Sequence, residues 1–387
     1  MYDILIKDGR VIDPAQGIDA VMDIAINQDR IALVSRNIPA GDGRKFIDAQ
    51  GMIVAPGLID MHCHVFDSVA RNGVAVDTAG VRQGVTTVVD AGSAGQAVFA
   101  AFPKYIIPTA RTSVFCFLHL GSLGLCLQPE LREEAEIDTA AAGQVISSYP
   151  ELIRGIKLRL VGDLVARNGL EIFKTAKKLA ADFHLPVMVH IGDTACQVPA
   201  SLTREFLPLM EKGDILSHVF TARQGSTMCP DGTFIPELGA ALARGVIFDI
   251  AHGRYNMSYD VARKGIAQGI IPHVISSDLT SFSVPGPVYG LTATMSKLLA
   301  LGLSLNQVIT MTTINPARAI NIADRKGSLK PGTDADVSIL KMVPGKWRLP
   351  DAEKKILTAT QLIMPEVTVK AGKVIQPKMA ALPEQAD

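Results

Sequence analysis

From Asp3 to Asp48, short apolar stretches alternate with polar positions and break at Gly, Pro and Asp, predicting strands at residues 4–6, 11–12, 22–26, 31–34 and 46–47. The tail from Gly327 returns to this texture, with strands expected at 336–340 and 367–375 and turns at Gly332 and Gly372. Between the two lie eight nearly continuous apolar runs, at 57–64, 86–90, 113–119, 155–160, 186–190, 214–218, 246–250 and 274–278. Stretches with helical spacing separate them, among them 172–181, 237–243 and 261–267. Apolar strands interleaved with helices indicate a parallel sheet covered on both faces, and eight such units favour a closed ring over an open sheet. The expected class is α/β: a (β/α)8 TIM-type barrel over residues 55–324, with a small β-sandwich domain formed by both chain termini, 1–54 plus 325–387.

Composition narrows the function. Lys plus Arg and Asp plus Glu are equal at 38 each, so no basic face calls for nucleic acid, and a small-molecule substrate is the default. The five cysteines (63, 116, 126, 196 and 229) form neither a C-x-x-C pair nor a dense framework, which fits a reducing compartment. The opening residues lack the basic and apolar regions of a signal peptide. No apolar run approaches the roughly 20 residues of a membrane span. A cytoplasmic protein that does not engage membrane is the expectation.

Five of the eight runs carry a side chain able to bind metal, which a merely packed barrel does not need. In such barrels the active site lies at the carboxyl ends of the strands. The first run ends in His62 and His64, which point the same way from a strand. The fifth ends in His190, the sixth in His218 and the eighth in Asp278. Lys157 places an ammonium in a strand that should be buried, at a cost of several kcal/mol unless something offsets it. Either a salt bridge or carboxylation by CO2, giving an anionic oxygen ligand, would do so, and the neighbouring histidines favour the second. Around this set, His119 ends the third run, His252 and Arg254 follow the seventh, and Arg159 lies two residues beyond Lys157. These four are the candidate substrate contacts, with His119 alternatively supporting the ligands from behind and the arginines suiting an anionic group. Cys63, between the two histidines, should face away and pack.

The stretch Val54-Ala55-Pro56-Gly57-Leu58-Ile59-Asp60-Met61-His62-Cys63-His64 resembles the P-G-x-I-D-x-H-x-H signature that opens the amidohydrolase superfamily barrel. Gly327-Ser328-Leu329-Lys330-Pro331-Gly332-Thr333-Asp334-Ala335-Asp336 resembles the G-x-I-x-P-G-x-D-A-D segment of the same enzymes, and Asn315-Pro316-Ala317 the N-P-A of a late helix, with Asn as its cap. The set His62, His64, Lys157, His190, His218 and Asp278 is similar to that of the dihydroorotase and hydantoinase branch. The resemblance implies two divalent metal ions, with zinc preferred over Mn, Co or Fe, bridged by carboxylated Lys157. It implies His62, His64 and Asp278 on the more buried ion, His190 and His218 on the outer one, and a metal-bridging hydroxide whose proton Asp278 relays. The nearer resemblance is to the amidohydrolase/deacetylase subgroup, which removes acetyl or acyl groups from small carboxylates such as N-acyl D-amino acids or acetylated 2-hydroxy acids. Cyclic-amide hydrolysis is the alternative. A non-catalytic interaction protein on the same fold is a third reading, disfavoured by the complete ligand set. Homo-oligomerisation is implied by the resemblance alone.

Overall fold

The computed structural model describes residues 1–386. Its strands are β1 (Tyr2–Asp13), β2 (Ile18–Asn27), β3 (Arg30–Ser35), β4 (Gly43–Asp48), β5 (Ile53–Pro56), β6 (Leu58–Cys63), β7 (Val85–Gly95), β8 (Ser113–His119), β9 (Ile153–Arg159), β10 (Val187–His190), β11 (Ile215–Ser217), β12 (Ile247–Asp249), β13 (Val337–Pro350), β14 (Ile356–Lys370), β15 (Lys373–Ile375) and β16 (Glu384–Ala386). They fall into two sheets.

The first sheet runs β6 to β12 in chain order, with every neighbouring pair parallel. β6 and β7 are buried at every residue, as strands covered on both faces must be. Ile59, Met61, Val89, Phe117, Met188, Ile215 and Val274 form one apolar cluster. Strands near opposite edges share such a cluster because the sheet curls around it. The eighth expected run is not a regular strand. Residues 274–279 instead make isolated parallel bridges on both sides, Asp249 with Val274 and Cys63 with Leu279. The Asp278 amide donates to His62 O at 2.6 Å, and the Ile250 amide to Val274 O at 3.1 Å. The expected outer helices lie within Asp163–Asp182, Pro236–Arg244 and Tyr259–Ala267. No helix among the described residues is long and apolar enough to cross a membrane.

The second sheet has nine strands, its main path running β15-β14-β13-β5-β1-β2-β3. β5 pairs with β1 on one side and β13 on the other, so strands from both ends of the chain share one ladder. The strands expected at 4–6 and 11–12 are one strand bent by a bulge between Ile6 and Gly9. The run 367–375 is two strands, divided where Ala371 and Gly372 take φ of 47° and 71°. β13 and β14 extend far past their expected ends into a long hairpin.

The two sequence signatures meet here. Gly57 donates its amide to Asp336 O at 2.8 Å, and any side chain at Gly57 would collide with Thr86 and Asp336. The Asp336 carboxylate, 4% exposed, receives Lys326 at 2.7 Å, Lys370 at 2.9 Å and the Ala371 amide at 3.0 Å. Burial alone would raise this carboxyl, but Lys370 and Lys326 outweigh it and hold it below its ordinary 3.8. Because the folded value is the lower one, the stabilisation is complete above the unfolded value and is lost as pH falls through the folded value. Asp336→Asn leaves two buried ammonium groups short of a partner and should cost about 3 kcal/mol in urea unfolding at pH 7, with a smaller loss near pH 3. Asn315 departs from expectation: Thr313, not Asn315, precedes the helix Ile314–Ala319, and the Asn315 amide donates to His273 O at 2.8 Å. Lying one residue inside the helix, its side chain reaches a neighbouring carbonyl rather than its own first-turn amides.

Candidate metal centre

The strand ends bring His62, His64, Lys157, His190, His218 and Asp278 to one place. His62 Nε2 is 3.1 Å from Lys157 Nζ and 3.7 Å from Asp278 Oδ1; His64 Nε2 is 3.1 Å from the same oxygen. His218 Nε2 faces His190 Nδ1 at 2.7 Å. Donor atoms of His62, His218 and Asp278 all lie within 4.8 Å of one another. Three of the four rings are oriented from behind. His62 Nδ1 donates towards Ser217 Oγ (3.2 Å) and Asp249 Oδ2 (3.4 Å), and His218 Nδ1 donates to Ala251 O at 2.6 Å. His64 Nδ1 lies 2.9 Å from Ser93 Oγ, itself fixed where the Ser93 amide meets Asp90. With their Nδ1 positions engaged, His62, His64 and His218 turn Nε2 towards the centre, where that of His218 meets His190 Nδ1.

The electrostatics agree with this arrangement. Burial, with neighbouring positive charge, pushes His62 and His190 well below the ordinary imidazole value and His218 down to about 3, so all three are neutral donors at pH 7. Burial pushes Lys157, fully enclosed in β9, down to about 7. Burial would raise Asp278, but the hydrogen bond and electrostatic attraction of His64, with the nearby Lys157, keep it below the ordinary carboxylate value. Asp278, His218 and Ala251 take positive φ of 48°, 66° and 39°, a conformation L residues adopt only where the surroundings hold them. This set of neutral nitrogens and anionic oxygen fits divalent cations.

Sequence reasoning passed over the groups behind the ligands. Asp249 is buried in β12 and receives Ser217 Oγ and Ser276 Oγ; burial raises it to about 6. Asp60, within the first signature, is raised by burial to about 7 and takes both the amide (3.0 Å) and the hydroxyl of Ser277, tying β6 to the segment that presents Asp278. A carboxylate inside an apolar strand run was the available signal for both.

Of the donors, His64, Lys157, His190 and Asp278 line the floor of a cavity of about 850 Å3. Arg254 and Arg71 line its walls, stacked over Tyr255 and Phe282 at 5.3 and 5.9 Å, and among the described residues neither has an ion pair or hydrogen bond. Arg159 also faces the cavity, but its guanidinium is committed to the nearly buried Glu130. One expectation is corrected. His252 does not enter the mouth: it is fully buried, and its Nε2 accepts from Lys297 Nζ at 2.7 Å, because the turn at Gly253 directs the ring inward. His119 is buried beside Lys157 on the adjacent strand, where its Nδ1 accepts the Gly121 amide (2.9 Å) and its Nε2 has no partner. Cys63 packs as expected, its thiol against Val89 O.

Comparison with known proteins gives consistent likenesses. A family model described as "Amidohydrolase family" matches residues 225–375. The chain is 33% identical to "Deacetylase Atu3266" of Agrobacterium fabrum (strain C58 / ATCC 33970) across 91% of its own length and 86% of the relative's. It is 31% identical to "Deacetylase" of Enterococcus faecalis (strain ATCC 700802 / V583), across 96% and 99%. Among solved structures, one described as a dihydroorotase superposes with a TM-score of 0.88 at 31% identity, covering 98% of each chain.

Proposed function

Since this chain belongs to the amidohydrolase family, we propose that it removes an acetyl or acyl group from a small carboxylate substrate, an N-acyl D-amino acid or an acetylated 2-hydroxy acid. The chain is a hydrolase acting on amide bonds, and its similarity to deacetylases across nearly the whole length favours acyl removal over ring opening. One observation carries the reading: a cluster of four imidazoles, Lys157 and Asp278 opens into a cavity also lined by two arginines that have no carboxylate of their own.

In this reading residues 274–279 are the eighth stave of a closed (β/α)8 barrel spanning 55–324, and 1–54 with 325–387 form the small β-sandwich domain. His62, His64 and Asp278 would hold one cation, His190 and His218 the other, and carboxylated Lys157 both. Bound divalent cations, zinc by preference, lower the pKa of a coordinated water and polarise a carbonyl. Lys157 suits carboxylation because burial leaves much of its amine unprotonated near neutrality; the amine adds CO2 and releases a proton. The unpartnered N–H of His119 on the next strand supplies a donor for the resulting oxygen anion. Asp278, ionised at neutral pH, accepts the proton of the attacking water and returns it to the leaving nitrogen or oxygen. Arg254 and Arg71 take the substrate's carboxylate, aligning the acyl group over the floor.

Initial rates on N-acetyl-D-amino acids, O-acetyl-2-hydroxy acids, hydantoins and dihydroorotate, before and after chelation, test the proposal. Chelator-sensitive release of acetate is expected. Turnover confined to the cyclic amides would replace it with the hydantoinase-type alternative. For Arg254→Met the expected result is a KM roughly ten- to a hundredfold higher with kcat changed little, since a charge-assisted contact shared by ground and transition states is removed.

A further inference from the structure

The chemistry above makes no use of Lys297, although its side chain is fully buried in the helix Leu291–Ala300. Among the described residues no carboxylate pairs with it. Its three donors reach His252 Nε2 at 2.7 Å, Pro287 O at 2.6 Å and Pro350 O at 2.9 Å, which exhausts an ammonium's capacity. Pro350 ends β13, so this one nitrogen joins the terminal sheet to the loop after β12. The tip of the β13–β14 hairpin meets the same loop three more times. The Tyr259 amide donates to Asp351 Oδ2 at 2.9 Å, Tyr259 Oη donates to Leu349 O at 2.9 Å, and the Ala352 amide donates to Met257 O at 3.0 Å.

That loop touches the metal centre at two points and the cavity wall at a third. Ala251 O fixes the His218 ring, Gly253 packs so closely on the Asp278 carboxylate that any side chain would strike it, and Arg254 faces the cavity. Ala251 has a positive φ of 39°, which an L residue adopts only where its surroundings hold it, so the loop does not keep this shape by its own preference. For packing alone a methionine would serve at position 297 without the desolvation cost of a buried charge.

We infer that Lys297 is a positioning residue and that the hairpin tip is a brace: together they hold residues 251–259 so that His218, Asp278 and Arg254 stand in register. Its catalytic consequence rests on the proposed hydrolase reading, while the brace itself does not.

Two measurements on Lys297→Met separate them. Hydrogen exchange of the substrate-free protein should show amides at 251–259 exchanging on the order of tenfold faster while β6 to β10 remain protected. Turnover of the acetylated substrate should fall roughly ten- to a hundredfold, the scale of a small misplacement of reacting groups. Adding His252→Met to Lys297→Met should cost nothing further if the two act as a unit. Should Lys297→Met fail to fold, Tyr259→Phe, which removes one hydrogen bond to the brace, should show a weaker version of the same local exchange. Unchanged exchange at 251–259 overturns the brace, and additive losses in the double variant overturn the Lys297–His252 unit. If the unsubstituted protein hydrolyses nothing in the panel, the exchange result alone decides for or against the brace, and it is the functional reading that falls.

Discussion

Asp278→Asn should leave the fold intact and metal bound while lowering kcat by about 10³-fold or more, the upper range for loss of a general acid–base group. Asparagine suits the test because it tolerates the positive φ that this position requires and nearly matches aspartate in volume. The backbone anchor, the Asp278 amide on His62 O, does not depend on the side chain. What disappears is the anionic oxygen facing His64 and His62, and with it the only ionised carboxylate among the residues that converge on the floor. Four histidines and Lys157 remain to retain metal. Elemental analysis alongside steady-state kinetics distinguishes the outcomes: retained metal with lost turnover supports the proton-relay role, whereas near-normal turnover removes Asp278 from the mechanism.

Lys157→Met should have the opposite profile, losing metal together with activity. Methionine follows the shape of the buried stem but cannot take up CO2, so the variant should bind fewer than two equivalents and turn over at background. A companion experiment needs no substitution. Metal-free protein reloaded with zinc in CO2-depleted buffer should stay inactive until bicarbonate is added, and full recovery without bicarbonate would exclude the carboxylated lysine. Stability supplies an independent sign. In the metal-free protein the Lys157 value of about 7 lies below the ordinary 10.5, so the unfolded chain binds a proton that the folded chain does not. Stability therefore rises with pH between about 7 and 10. Lys297, also pushed down by burial to about 7, contributes a similar rise, so Lys157→Met should reduce that slope without abolishing it.

Much of this site was legible because its residues violate local expectation. Histidines at the ends of apolar strands and a lysine inside one are costly unless employed, and alternation along β6 placed His62 and His64 on one side. The supporting layer was harder to see. Ser93 and Ser217 resemble any small polar residue at a strand end, and only the folded geometry shows them behind His64 and His62. His252 was misread because proximity to the mouth in sequence does not determine which way a ring turns after Gly253. The long β13–β14 hairpin was not among the expected strands, and Pro344 and Gly345 lie within its first arm. In the structure they sit at a register shift that lets the strand continue.

The shared ladder of β5 imposes an order on synthesis. β5 ends at Pro56, but its partner on one side begins only at Val337. At roughly 5–20 residues per second, a nascent chain would carry β1, β2 and β5 with one edge exposed for roughly 15–60 seconds while the whole barrel emerges. The edge includes Ile53, Val54 and Ala55, all buried once β13 arrives, and is therefore a natural point for chaperone capture or misassociation between ribosomes. Slow translation of the barrel would lengthen that window, so expression yield should respond to codon choice between residues 57 and 336 more than to codon choice in the last fifty.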